Sequence, residues 1–129
     1  MKKVVFACVQ NEGRSQMAAA IFNRLADPLH ARAISAGTRP GQRVHPAVVT
    51  AMRELGVDLS KARPQELSPE LAADASVLVT MGCGEECPYV PGARVEDWPI
   101  QDPKDQPIEK VRAIRDEIDT RVRSLLAAL

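Results

Sequence analysis

The chain reads Val4-Val5-Phe6-Ala7-Cys8-Val9-Gln10-Asn11-Glu12-Gly13-Arg14-Ser15 near its N-terminus, and this stretch decides the fold. The unbroken apolar run before the cysteine is typical of a strand that is buried on both faces of a parallel sheet. From Arg14 onward, apolar residues return every three or four positions, which predicts a helix over residues 14–26. The stretch therefore predicts a strand over residues 2–8, a short loop and a helix, with the thiol of Cys8 at the end of the strand.

The residues of this loop suit a nucleophile that binds an oxyanion. Backbone amides in a short loop and at a helix N-terminus offer partial positive charge to a tetrahedral anion. The planar guanidinium of Arg14 can bind two oxygens of such an anion, and the same field stabilises a thiolate. Ser15 can donate a hydrogen bond to that sulfur, and the side chain of Asn11 is expected to order the loop. We therefore predict that Cys8 is the nucleophile and that the substrate is bound by Val9, Gln10, Asn11, Glu12, Gly13, Arg14 and Ser15.

Strands and helices alternate along the rest of the chain. Further strands are predicted over residues 31–36, 76–80 and, more weakly, 94–98, and helices over 46–55, from Ser68, and from Pro107 to the end. This alternation predicts a single-domain, three-layer α/β/α fold over residues 1–129, with a four-stranded parallel sheet and right-handed crossovers.

The parallel sheet predicts which residues meet. Ligands in such folds bind beyond the carboxyl ends of the strands. Cys8 ends the first predicted strand, and Cys83 follows the strand over 76–80. We therefore expect both thiols at one rim of the sheet.

Composition limits the classes of function. The chain has 129 residues, 17 Lys plus Arg and 17 Asp plus Glu, so no bulk charge attracts it to nucleic acid or to an anionic membrane. The apolar run after Met1 stops at Gln10, too early for a signal peptide, and no segment has the length of a transmembrane helix. The expected location is the cytoplasm, with no nucleic-acid or membrane partner.

Cys83 and Cys87 require a separate explanation. A structural disulfide framework is not expected in a cytoplasmic chain with three cysteines. A zinc site lacks a second close pair, and the two histidines lack ligand spacing, so no metal is predicted. Two unrelated packed thiols are an alternative, but the glycines, glutamates and proline over residues 82–88 describe an exposed, bendable segment. A redox pair is the better explanation.

The motif Cys-x-x-Asn-x-x-Arg-Ser resembles that of the low-molecular-weight protein tyrosine phosphatases and of the arsenate reductases that share their fold. The continuation Ser15-Gln16-Met17 is similar to the reductase branch, since the phosphatases usually have proline after the serine. Further similarities run down nearly the whole chain, over residues 35–38, 56–60, 79–81, 87–88 and 98–103.

The resemblance implies a reaction and assigns roles to three more residues. Arsenate and phosphate have the same shape and charge, so the step after nucleophilic attack separates a reductase from a phosphatase. In a reductase, Cys83 would attack the sulfur of Cys8, Cys87 would then attack Cys83, and an external thiol donor would reduce the resulting disulfide. Asp102, next to a proline, would protonate the leaving oxygen. Thioredoxin is the expected donor; glutaredoxin and mycothiol stay open.

Two alternatives and two departures from the family complete the sequence-based interpretation. A low-molecular-weight phosphatase is the alternative enzyme, although aromatic content of 3% offers little to stack a phosphotyrosine ring. A cysteine phosphocarrier would need neither Cys83 and Cys87 nor Asp102. The first departure is Ala19, which stands where relatives often carry a glutamate that contributes to a cation site. The second is at the relay cysteines, where Gly82 precedes Cys83 and Cys87 follows four residues after it. No cofactor is predicted, and potassium binding is not transferred.

Overall fold

The computed structural model of the chain describes residues 1–83, 87 and 90–129. Four parallel strands form one sheet in the order β2-β1-β3-β4. The strands are β1 (Lys2–Cys8), β2 (Ala31–Gly37), β3 (Val77–Thr80) and β4 (Arg94–Asp97). The predicted fold class, a four-stranded parallel sheet in an α/β fold, is confirmed, and each strand begins and ends within a residue of its predicted bounds.

The described part of the chain has helices at each predicted place. They are α1 (Arg14–Leu25), α2 (Pro46–Arg53), α3 (Pro69–Ala72) and α4 (Ile108–Ala128). Pro46 occupies the first turn of α2, where its missing N–H costs nothing. The hydroxyl of Ser68 accepts a hydrogen bond from the N–H of Leu71 and so caps α3 as predicted. None of these helices combines the length and apolar character needed to cross a membrane.

Alternate residues of β1 point to opposite faces of the sheet, and each face has its own apolar cluster. Val4, Phe6 and Cys8 pack with residues of α1, α2 and α4. Val5 and Ala7 pack with Ala72 of α3 and with neighbouring loop residues. Because both clusters draw on the same central strand, the end of β1 is fixed from above and below.

The strand order places the chain's reactive loop at a switch point of the sheet. β1 lies between β2 and β3, with Cys8 paired to Gly37 and Ala7 paired to Thr80. The chain passes from β1 to β2 on one side and later returns to β3 on the other side of β1. Such a reversal of strand order leaves a crevice at the carboxyl ends of the strands. A Cβ atom on Gly37 would lie 3.0 Å from the backbone N of Asn11, so only glycine permits this close approach.

Candidate active site

The loop after β1 is held from the outside by the segment over residues 38–45. Backbone N–H groups of this segment donate to loop carbonyls at 2.8–3.1 Å: Thr38 to Cys8, Arg39 to Val9, Gly41 to Gln10, and His45 to Glu12. A trans peptide is planar, with its C=O and N–H pointing in opposite directions. The N–H groups of Val9, Gln10 and Gly13, which follow three of these carbonyls, therefore point inward, where an anion could accept from them.

The loop surrounds a cavity of about 260 Å³ at the rim of the sheet. Among the described residues, its lining consists of Cys8, Val9, Gln10, Asn11, Glu12, Gly13, Arg14, His45, Asp102 and Lys104. The sequence motif thus forms one wall of the cavity. Of the loop residues predicted to bind the substrate, all except Ser15 line the cavity. None of the described lining residues is Phe, Tyr or Trp, so this part of the lining offers a small anion polar groups and offers a phenyl ring little to stack on.

Ser15 is the predicted loop residue that lies behind the sulfur. Its side chain is fully buried, and Oγ lies 2.8 Å from Sγ of Cys8. The backbone N–H of Asn11 donates to the same sulfur at 3.3 Å. Cys8 itself is 3% exposed. The sulfur therefore has two polar partners beneath it, which suits the acceptor character of a thiolate.

The backbone N–H of Gln65 determines which groups donate in the chain of hydrogen bonds from Asn11 through Ser15 to Cys8. The N–H of Gln65 donates to Oδ1 of Asn11 at 3.0 Å, which identifies that atom as the acceptor end of the amide. Nδ2 of Asn11 must then be the donor to Oγ of Ser15, at 2.7 Å. The hydroxyl hydrogen of Ser15 is left to donate to Cys8. The prediction that the Asn11 side chain orders the loop agrees with these bonds to Ser15 and to the backbone of Gln65. Asn11 also adopts a left-handed backbone conformation, with φ of 55°.

Arg14 begins α1 and lies between two loops of the rim. Its side chain is 13% exposed, and one guanidinium nitrogen donates to the carbonyl of Ile100 at 3.0 Å. The other terminal nitrogen is 3.7 Å from a carboxylate oxygen of Asp102. The nitrogen that donates to Ile100, Nη1, also lies near Gly82, whose φ is +89°, because an added Cβ there would be 2.8 Å from it. Gly82 is one of the departures from the family pattern. At this glycine, the guanidinium of Arg14 approaches the backbone closely.

Asp102 lies at the mouth of the cavity, where the resemblance expects it. Its side chain is 50% exposed, and the backbone N–H of Lys104 donates to Oδ1 at 3.0 Å. Pro103 packs against the anion loop, since a Cβ on Gly13 would lie 2.8 Å from its ring. The second oxygen faces Arg14, so the carboxyl group is positioned beside both the guanidinium and the cavity. Its role as general acid stays a prediction.

Cys83 and Cys87 form a disulfide, with their Cα atoms 5.6 Å apart. The pairing is the one expected of a redox pair. Cys83 is 5% exposed and belongs to the cluster of β1 residues Val5 and Ala7, whereas the sequence describes an exposed segment. Cys83 lies three residues beyond the end of β3, within reach of the cluster that covers this face of the sheet. Residues 84–86, 88 and 89, on which the prediction of a bendable segment also depends, lie outside the described residues.

Some contributors to the site are not evident from the sequence. His45 directly precedes α2 and also lines the cavity. Lys104 lines it too, and the carbonyl of Ile100 orients Arg14. The segment over residues 38–45 holds the loop carbonyls. In the sequence, its role was indicated by the similarity of the Ser-Ala-Gly-Thr stretch over residues 35–38 to the family. Within the described ranges, no cluster of three or more His, Cys, Asp or Glu residues could hold a metal ion.

Comparison with known proteins agrees with this geometry. Residues 3–129 match the model of the family described as low molecular weight phosphotyrosine protein phosphatase. A candidate arsenate reductase of Halobacterium salinarum is 40% identical over 95% of this chain and 89% of that protein. The glutaredoxin arsenate reductase of Synechocystis is 33% identical over 100% of this chain and 99% of that protein. Among solved structures, a thioredoxin-dependent arsenate reductase of Corynebacterium glutamicum superposes with a TM-score of 0.86 at 35% identity, covering 99% of this chain and 61% of that one.

Proposed function

Since the chain belongs to the low molecular weight phosphotyrosine protein phosphatase family, we propose that within it this protein reduces arsenate to arsenite. The observation that carries the proposal is the Cys83–Cys87 disulfide at the rim where Cys8 ends its strand. A phosphatase hydrolyses its cysteinyl intermediate with water and has no use for a second pair of thiols. Relatives with at least 33% identity over nearly the whole chain carry the name arsenate reductase.

The first step joins arsenate to the protein. Backbone amides of the anion loop and Arg14 hold the oxyanion, and the thiolate of Cys8 attacks arsenic. One hydroxyl group of arsenate takes a proton from Asp102 and leaves as water. The product is a Cys8–arsenic(V) adduct in which the sulfur–arsenic bond has replaced an arsenic–oxygen bond.

The second step reduces arsenic, and the third frees the nucleophile. The thiolate of Cys83 attacks the sulfur of Cys8, and the sulfur–arsenic electron pair stays on arsenic, which leaves as arsenite. The thiolate of Cys87 then attacks Cys83 and releases Cys8 as a thiolate. Two thiols have supplied two electrons, and the end product is the Cys83–Cys87 disulfide that the structure contains.

Thioredoxin is the donor that we propose for this disulfide. Its support is the similarity to a thioredoxin-dependent enzyme at 35% identity. The glutaredoxin-named relative at 33% identity makes glutaredoxin the alternative. A dithiol donor suits either case, because it reduces an intramolecular disulfide without leaving a mixed disulfide behind. In the same proposal, residues 1–129 act as one catalytic domain and need no cofactor.

The proposal is tested by steady-state arsenate reduction with thioredoxin and its reductase, glutaredoxin with glutathione, or mycothiol supplied separately. We expect turnover with thioredoxin and at least tenfold less with the other donors. The phosphatase alternative is tested in parallel by measuring hydrolysis of para-nitrophenyl phosphate. The observation that supports this alternative is Asp102 in the cavity lining, because a phosphatase needs a general acid there. Phosphate release without arsenite formation by any donor would overturn the reductase proposal.

A further inference from the structure

The carbonyl oxygens of the anion loop are held individually, and one of them is held by a side chain. The carbonyls of Cys8, Val9, Gln10 and Glu12 accept from the segment over residues 38–45, and that of Gly13 accepts from the N–H of Met17 in α1. The carbonyl of Asn11 is different. It accepts from Nε2 of Gln16 at 3.2 Å. This side chain therefore completes a set of anchors that is otherwise built from backbone groups.

Gln16 is bound firmly enough to serve as an anchor. The residue is 8% exposed on the first turn of α1. Besides the Asn11 carbonyl, Nε2 lies 3.1 Å from Oδ1 of Asn11 and 3.3 Å from the carbonyl of Arg63. An amide nitrogen with two N–H donors among three oxygens fixes the orientation of the amide without ambiguity. Gln16 thus ties the loop to a segment almost fifty residues away in sequence.

The consequence lies on the other side of the peptide that Gln16 holds. Because the Asn11–Glu12 peptide is planar and trans, fixing its carbonyl toward Gln16 turns the N–H of Glu12 toward the cavity. The preceding peptide shows the same relation, since the Gln10 carbonyl accepts from Gly41 while the N–H of Asn11 donates inward to Cys8.

We propose that Gln16 is a positioning residue for oxyanion binding, acting through the amide of Glu12. The inference rests on the proposed function only in taking the cavity as an oxyanion site. It predicts a loss of anion affinity when the side chain can no longer donate, although Gln16 touches neither the anion nor the reacting sulfur.

The test replaces Gln16 with methionine, which has nearly the same size and no N–H donor. Affinity for inorganic phosphate is measured by isothermal titration calorimetry on the full chain with Cys83 and Cys87 reduced. Hydrogen bonds to charged groups are among the stronger ones, so we expect the Kd to rise about tenfold or more. Asn23→Leu is the matched control, because that amide is on the same helix but donates to the Ala33 carbonyl at 2.9 Å and not to the loop.

A second variant and a kinetic readout separate positioning from general loosening of the fold. Gln16→Leu is a second neutral side chain that cannot donate and adds no charge beside the anion site, so it should lose phosphate affinity as the methionine variant does. In both, the KM for arsenate should rise by the same factor as the Kd for phosphate, while kcat and the thermal midpoint of the ligand-free protein change little. Wild-type affinity in either folded variant would overturn the role of Gln16 alone. Failure of the wild-type protein to bind phosphate would overturn the proposed function as well.

Discussion

Arg14 occupies a position in which three neighbours fix its guanidinium. It donates to the Ile100 carbonyl, lies 3.7 Å from Asp102 and packs against the backbone of Gly82. These neighbours hold the planar group at the edge of the cavity, so little rotamer freedom is lost when an anion binds. The nucleophile is fixed in the same way, by Ser15 and Asn11 from beneath.

Arg14→Lys keeps the charge but removes the planar fork, so it should weaken both anion binding and catalysis. We expect kcat/KM for arsenate to fall about a hundredfold, equivalent to about 3 kcal/mol, since a bidentate contact and the bond to Ile100 are both lost. Steady-state kinetics measures the change. Arg24→Lys, on the exposed side of the same helix, is the control and should leave the kinetics unchanged. Equal kinetics in the two variants would show that Arg14 does not contact the anion.

Ser15→Ala removes the hydroxyl donor beneath Cys8. The thiolate then loses one of its two partners, and we expect alkylation of Cys8 by iodoacetamide at neutral pH to slow about tenfold. The experiment uses the oxidised protein, because Cys83 and Cys87 are bonded to each other and only Cys8 is then free to react. Ser124→Ala on the exposed face of α4 is the control. An unchanged rate would mean that Ser15 does not stabilise the thiolate.

At the scale of elements, α2 is joined to α4 by a cluster of ionic hydrogen bonds. Glu54, at the end of α2, accepts from Arg112 at 2.8–3.1 Å and from Arg115 at 2.7 Å. Arg115 also donates to the Ala51 carbonyl at 2.9 Å, which satisfies an acceptor of the last helical turn. Hydrogen bonds from Arg112 and then Arg115 lower the pKa of Glu54 from 4.5 to about 2.

This shift in pKa makes the contribution of Glu54 to stability depend on pH. The carboxyl is ionised above about pH 2 in the folded protein but only above about 4.5 in the unfolded chain, so protonation favours unfolding. The contribution should be complete above pH 4.5 and be lost as the pH falls toward 2. Urea unfolding of wild type and Glu54→Gln should therefore differ at pH 7 and converge below pH 4.

Glu117→Gln is the control for that comparison, since Glu117 pairs with Arg121 within α4 at 3.5 Å and joins no second element. An exposed pair of this kind contributes little, so its removal should barely change the urea midpoint. A difference between wild type and Glu54→Gln that stays constant down to pH 3 would contradict the assigned pKa.

At the scale of the whole molecule, Cys8 and the oxidised pair of Cys83 and Cys87 belong to apolar clusters on opposite faces of the sheet. Cys8 packs with the helices α1, α2 and α4, whereas Cys83 packs in the cluster that contains α3. In the proposed relay this separation favours release of Cys8 for the next arsenate.

The relay predicts unequal results for the two serine variants after one addition of arsenate without a donor. Cys87→Ser should release about one arsenite per protein and stop as a Cys8–Cys83 disulfide, by ordinary thiolate exchange. Cys83→Ser should stop at the arsenic adduct with no intramolecular disulfide, and wild type should accumulate Cys83–Cys87. Non-reducing peptide mapping distinguishes all three. A Cys8–Cys87 disulfide in Cys83→Ser would reverse the order of the two relay thiols, and wild-type turnover of both variants with a small thiol would remove the relay.

The sequence by itself determined the elements and the reactive loop, because local patterns encode them. The apolar run over residues 4–7 and the three- and four-residue spacing after Arg14 each depend on neighbours in the chain, and both elements lie where they were predicted. The alternation of strands and helices was enough to predict the parallel sheet. The pairing of Cys83 with Cys87 also agrees with a contact between residues that are close in sequence.

Only the tertiary structure decided which distant groups complete the site. The segment over residues 38–45 holds the loop carbonyls, the N–H of Gln65 sets the direction of the Asn11 amide, and Ile100 orients Arg14. Most of these contacts use backbone groups. Because every residue carries such groups, the pattern of side chains along the sequence does not predict which of them will meet. The burial of Cys83 was missed for a related reason: composition describes the polarity of a segment, but the cluster that covers a residue depends on where its strand ends in the sheet.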